Sequence, residues 1–136
     1  MATNLRNELS PRNKYYISKD RYLELLHFCC QYPEWERSYV LITFVPAKSY
    51  KEVKVNGVSD LVETTANKRL ALEMKMKMVK ETCEEADPTI SNYIFLAVTK
   101  KLSYVNLKMM YDIPCGRDYF YDRYRKFFWL LDKKRG

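Results

Sequence analysis

Apolar positions recur at helical spacing through most of this chain, and its elements follow from where that rhythm starts and stops. Tyr22, Leu25, Leu26 and Cys29 share one helix face at this spacing. Ser18 stands at the cap position, able to accept the amide of Asp20 or Arg21, and Tyr15, Tyr16 and Ile17 can staple the helix entry. A first helix is expected from about Lys19 to Gln31. Tyr32-Pro33 breaks it. Proline is tolerated in a first turn, so Pro33-Glu34-Trp35-Glu36 can open a second helix. Its end is open, because Tyr39 to Val45 is a continuous β-favouring run, readable as a buried helix end or a short strand, before Pro46 stops it. Residues 39–58 leave hairpin and loop as alternatives. Asn56-Gly57 between valines is a turn signal, but no second convincing strand exists, which favours a loop from Ala47 to Ser59.

A long helix is expected from Ser59 or Asp60 to Ala86, with Ser59 as its candidate cap. Leu72, Met76, Val79, Cys83 and Ala86 alternate spacings of four and three, the narrow seam of a helix against a near-parallel neighbour. This helix is either the spine of the fold or the seam of a homodimer. Met74, Met76 and Met78 read as core filler. Asp87-Pro88 pairs an acidic cap with a first-turn proline, opening a helix with Ile90, Tyr93, Ile94, Ala97 and Val98 inward and its end near Lys100-Lys101. Ser103 caps a short helix to Tyr111 that carries Leu107 and Met110. After the turn Asp112–Gly116, a last helix places Phe120, Tyr124, Phe127 and Leu131 on one face, with Phe128 beside them. Asp118, Tyr121, Asp122, Arg125 and a fully exposed Trp129 fall opposite, with Arg117, Arg123 and Lys126 at the margins.

The pattern predicts an all-α fold: a small helical bundle of five or six helices with a long central helix and a C-terminal helix-turn-helix. Residues 1–14 are polar and unpatterned, and are expected to form a flexible tail. Residues 15–136 are expected to form a single helical domain. Its segments are an N-terminal helical pair and loop (15–57), the long helix (58–86) and the helix-turn-helix unit (87–136).

Composition narrows the chemistry. The chain's 136 residues, 47% hydrophobic and 30% charged, suit one modest globular core. A net charge of +7 favours an anionic partner through long-range attraction and counterion release. No segment approaches the roughly 18 apolar residues of a membrane span, and MATNLRNELSPRNK lacks the apolar core of a secretory signal. The expected location is the cytoplasm. Four cysteines, two of them adjacent, are expected as reduced, buried thiols. Residues suited to catalysis are scarce. His27 is the one histidine, and there is no Gly-x-Ser-x-Gly, no glycine-rich phosphate loop and no Cys-x2-Cys pair. His27, Cys29 and Cys30 cannot converge, because adjacent helix residues diverge by about 100°. No enzyme, cofactor or metal site is expected.

The run ADPTISNYIFLAVTKKLSYVNLKMMYDIPCGRDYFYDRYRKFFWLL resembles small prophage-encoded proteins of gut Firmicutes. More distantly it is similar to the ArpU/RinA-type regulators of phage late genes. The resemblance covers about the last 50 residues, with a looser likeness in YYISKDRYLELLHFC. It implies a C-terminal helix-turn-helix related to the promoter-reading region of sigma factors. Ser103 to Tyr111 would be its first helix, Ile113-Pro114-Cys115 its turn, and Arg117 onward its recognition helix. The sequence departs from the pattern twice. Tyr111-Asp112 replaces the usual small residue before the turn, and the turn is one or two residues longer.

The expected function is sequence-specific binding of double-stranded DNA by a phage or prophage transcription regulator. Arg117, Tyr121 and Arg125 would face base edges, with Arg123, Lys126, Lys100 and Lys101 on phosphates. Asp118 and Asp122 oppose this reading unless each pairs with an arginine or reads a cytosine amine. Host RNA polymerase or another host protein is a further expected partner, and the alternative is a phage-encoded inhibitor or adaptor that grips a host protein of nucleic-acid handling or defence. Trp129, Tyr121 and Arg125 would be its anchors, since these residue types dominate interface hot spots.

Overall fold

The computed structural model describes residues 12–44 and 55–136, with residue 44 and residues 55–63 described by backbone alone. The fold is all-α, with no strand among the described residues. Its helices are α1 (Lys19–Cys30), α2 (Tyr32–Phe44), α3 (Val55–Ala86), α4 (Ser91–Lys100), α5 (Tyr104–Tyr111) and α6 (Arg117–Arg135). The β-favouring run is helical through Phe44, and Val45, Pro46 and most of the expected loop lie outside the described residues. The start of the long helix is a correction. It begins at Val55, so Asn56-Gly57 opens a helix and Ser59 is not its cap. The first amides of a helix lack intrahelical partners in any case, so weak helix formers cost least there.

The chain divides into two compact units, one of residues up to Gln31 together with Met78–Gly136, the other Tyr32–Lys77. This division cuts across the segment boundaries read from the sequence at 57/58 and 86/87. The first unit holds α1, the end of α3, and α4 to α6. Within it α4 touches α1, α5 and α6, and α6 also touches α1 and α5. Ser18 Oγ accepts the amide of Arg21 as expected, while Ile17 before the cap and Tyr22 beyond it are both buried. Residues just ahead are not all tail: Asn13 caps a turn through the amide of Tyr15 at 2.8 Å.

The core of this unit is aromatic and aliphatic. Leu25 and Cys29 from α1, Val79 and Cys83 from α3, Ile94 and Val98 from α4, and Phe120, Phe127 and Leu131 from α6 are essentially inaccessible. Burial pushes the Cys29 and Cys83 thiols well above the ordinary thiol range, and each lies near another negative-going group, which pushes further. Both are therefore neutral core filler. The four cysteines are free, and Cys30 Sγ donates to the carbonyl of Val98 at 3.3 Å.

Three details differ from the sequence reading. Met110 is 61% exposed, so Leu107 is the one buried residue of α5, with the Tyr104 ring beside it against Phe120 at 5.9 Å. Met74 is also open to solvent rather than core filler. Asp87 does not cap α4 directly, because that helix starts at Ser91 with Ile90 in the cap position. Asp87 instead closes the preceding turn, accepting the amides of Thr89 at 2.8 Å and Ile90 at 3.4 Å. A hydrogen bond from the Tyr119 hydroxyl ties the same carboxylate to α6.

Burial alone would raise the Asp87 carboxyl, but the bonds from Tyr119, Thr89 and Ile90, aided by Arg123, outweigh it and hold it below its ordinary value of 3.8. Its stabilisation is thus complete above that value and is lost as pH falls through the lower native one. Asp87→Asn should cost about 1 kcal/mol at neutral pH and flatten the acid limb of stability. Urea unfolding across a pH series checks this; an unchanged acid limb would exclude the role.

In the second unit α2 and α3 pair. The Tyr39 hydroxyl donates to Glu73 at 2.8 Å, and Lys75 Nζ lies 5.7 Å from the centre of the Trp35 ring. Trp35 and Tyr32 are buried and tilted against each other, with centroids 5.9 Å apart.

Candidate nucleic-acid interface

α6 is seated in the first unit along its whole apolar face. Phe120, Tyr124, Phe127, Phe128 and Leu131 are all buried, as their spacing foretold. Tyr22 of α1 packs edge-on against Phe128 at 4.9 Å, and its hydroxyl shares a hydrogen bond of 2.8 Å with that of Tyr124. Towards the C-terminus, Arg21 Nε donates to Asp132 Oδ1 at 2.6 Å, Lys134 bonds Glu85, and the Arg135 guanidinium lies 3.7 Å from the Phe28 ring centre. Such packing fixes both the position and the rotation of the helix.

The approach to α6 is also fixed. α5 ends at Asp112, whose φ of 51° is left-handed. This is the position a glycine usually takes, and aspartate is among the few other residues that tolerate it. The missing small residue therefore does not prevent the turn. Residues 112–116 link the two helices, and Ile113 is fully buried as their plug. Lys108 Nζ donates to the Ile113 carbonyl at 3.2 Å, and the Tyr104 hydroxyl to that of Cys115 at 2.7 Å.

The solvent side of α6 carries the sequence candidates in unequal states. Arg117 opens the helix and is exposed, as is Asp118. Lys126 is half-buried. Arg123 donates from Nε to Asp122 Oδ2 at 2.9 Å and from Nη2 to the same oxygen, a bond that raises the pKa of its guanidinium. Arg125 Nη2 lies 3.9 Å from Asp122 Oδ1, and only 18% of its side chain is accessible. One of the two opposing carboxylates is therefore paired with arginine. Tyr121 is half-buried: its hydroxyl accepts the amide of Tyr104 at 3.2 Å, and its ring meets Phe120 and Tyr124 edge-on. Lys100 and Lys101 are exposed at the end of α4; burial pushes the Cys30 thiol up, and nearby Lys101 offsets only part of that. Lys101 adopts φ 54°, which costs a non-glycine residue roughly 1–2 kcal/mol.

Trp129 is a correction. It is half-buried, with Tyr15 edge-on at 5.5 Å and Lys133 Nζ 3.3 Å from its ring centre. The sequence could not place Tyr15, which arrives from beyond the first helix. Three further features escaped sequence reading: the Asp87–Tyr119 tie, the clamp by Tyr104, and the exposure of apolar residues on α5. Val105 and Met109, four residues apart, share one face of that helix, Met110 and Tyr111 are exposed further round it, and Tyr119 of α6 is exposed as well. Only this exposure had a signal: α5 carries more apolar residues than its inward face can bury. Among the described residues no three His, Cys, Asp or Glu side chains gather to hold a metal ion, and no helix is long and apolar enough to cross a membrane.

No family model matches the chain, and neither a curated protein nor a solved structure is significantly similar to it.

Proposed function

We propose that the chain binds double-stranded DNA through α6, with α5 and the 112–116 connection working as a helix-turn-helix, and that it serves as a phage or prophage transcription regulator. The observation carrying this is the fixed seat of α6, which is buried along one face while Lys126 lies half-buried on the side away from it and Arg117 is exposed at the first turn. A recognition helix needs that rigidity, because base contacts tolerate little rotation, and its first residues are the ones that reach base edges. Base reading therefore falls first on Arg117, with Arg125 deeper and Tyr121 supporting the turn. Lys126, Lys100 and Lys101 supply phosphate contacts, and Arg123 joins them when phosphate competes with Asp122.

Fluorescence anisotropy with labelled duplex from the gene's own upstream region tests the assignment. Arg117→Ala should cost about 1–3 kcal/mol and relax preference at one position. Lys126→Ala should weaken all sequences alike. Trp129→Ala should change DNA affinity little.

The protein-binding reading, with a host protein as partner, is favoured by one observation of its own, the exposed pair Val105 and Met109 on one face of α5, with Met110 and Tyr111 exposed further round the helix. Exposed apolar surface that is contiguous marks interaction sites. In that reading α5 and Trp129 carry the affinity, and the cations of α6 form a rim.

A further inference from the structure

The second unit carries a groove that the DNA reading does not use. It is about 500 Å³ in volume and is lined by Ser38, Leu41 and Ile42 of α2 and by Lys68, Ala71, Leu72 and Lys75 of α3. Lys68, Leu72 and Lys75 are four and three residues apart, so they lie in one stripe along α3. Their backbone positions are two turns apart, about 10 Å along the helix axis, and the Lys75 ammonium lies by the Trp35 ring. Leu41 and Ala71 are exposed, while Ile42 and Leu72 are half-buried, so the apolar floor is open to a visitor. None of the lining residues is acidic, and Glu73 nearby is engaged by the Tyr39 hydroxyl.

We infer that this groove docks an acidic amphipathic helix from another protein. Its apolar face would cover Leu41, Ile42 and Leu72, and carboxylates spaced two turns apart would meet Lys68 and Lys75. Helix-in-groove recognition uses apolar anchors at such spacings, and rim charges set partner choice and orientation. A second copy of this chain fits less well. A two-fold interface through the groove would bring Lys68 and Lys75 against their own mates, placing like charges at the seam. The site lies in a different unit from α6, so it goes beyond the DNA reading: one unit would contact DNA while the other recruits an acidic partner.

The test uses the full chain and a fluorescein-labelled synthetic peptide of about 15 residues, near the minimum for a stable helix. Leucines at i, i+3, i+4 and i+7 are flanked by glutamates, and a scrambled peptide of the same composition is the control. Saturable binding is expected for the amphipathic peptide and not for the scramble. Lys68→Glu with Lys75→Glu should weaken it at least about tenfold, and Leu41→Asp should abolish it, with helical circular dichroism unchanged in both variants. No saturation, equal binding of the scramble, or indifference to the lysine reversal overturns the proposal. A parent dimer in light scattering that Leu41→Asp dissolves also overturns it, because a second copy then fills the groove. Duplex affinity measured on the same variants separates this test from that of α6: it should be unaffected by Leu41→Asp whichever way the peptide result falls.

Discussion

Phe127→Ala is expected to lower the free energy of unfolding by about 3–5 kcal/mol. Phe127 is wholly inaccessible and meets Phe128 edge-on at 5.0 Å. Truncation removes most of a buried ring and leaves a cavity that neighbours fixed by Tyr22, Tyr124 and Arg21 cannot close. Domains of this size are stabilised by only about 5–15 kcal/mol, so the loss is a large share of the total. Urea unfolding should show a lower midpoint with an unchanged slope. Because Phe127 faces the core, duplex affinity should survive at temperatures where the variant remains folded. A loss below 1 kcal/mol would mean that α6 is not seated as described.

Val79→Asp should be at least as damaging, and the contrast with Met76→Asp is informative. Both residues belong to the seam read from the sequence, but Val79 is fully buried and Met76 only half-buried. A carboxylate at position 79 must be desolvated without a partner, protonate, or open the unit around it, a cost of several kcal/mol. At position 76 the carboxylate can reach solvent, so the loss should be about 1–2 kcal/mol. Thermal melts of the two variants check the order. If Met76→Asp were the more severe, the burial assigned to the two positions would be reversed.

The same pair illustrates what the sequence could reveal. Period and caps are local, so the spacing of Phe120, Tyr124, Phe127 and Leu131 identified the buried face of α6, and Ser18 and Ser103 identified helix starts. Gradation along a seam is not local: the rhythm from Leu72 to Ala86 is uniform, but its burial deepens towards Ala86. Turn chemistry misled at Asn56-Gly57, where a dipeptide suited to a hairpin is carried in a first helical turn. Exposure of Trp129 was misjudged, and the partner of Tyr121 was missed, for a common reason. Tyr15 and Tyr104, which cover or engage them, are distant in sequence, and no periodicity connects them. Asp112 shows the opposite case: the sequence departed from the expected glycine, yet the backbone takes the left-handed conformation that glycine would have taken.

The central claim is that the cations on the solvent side of α6 meet nucleic acid phosphate. Its most direct test is the affinity of the full chain for mixed-sequence duplex, measured from low to physiological salt. Phosphate neutralisation releases counterions, so log K should fall linearly with log salt at a slope of about −0.9 for each phosphate contacted. Lys126→Ala should reduce that slope by about one unit. A parent chain that binds no duplex more tightly than about 10⁻⁴ M at physiological salt, or whose slope Lys126→Ala leaves unchanged, would contradict the account.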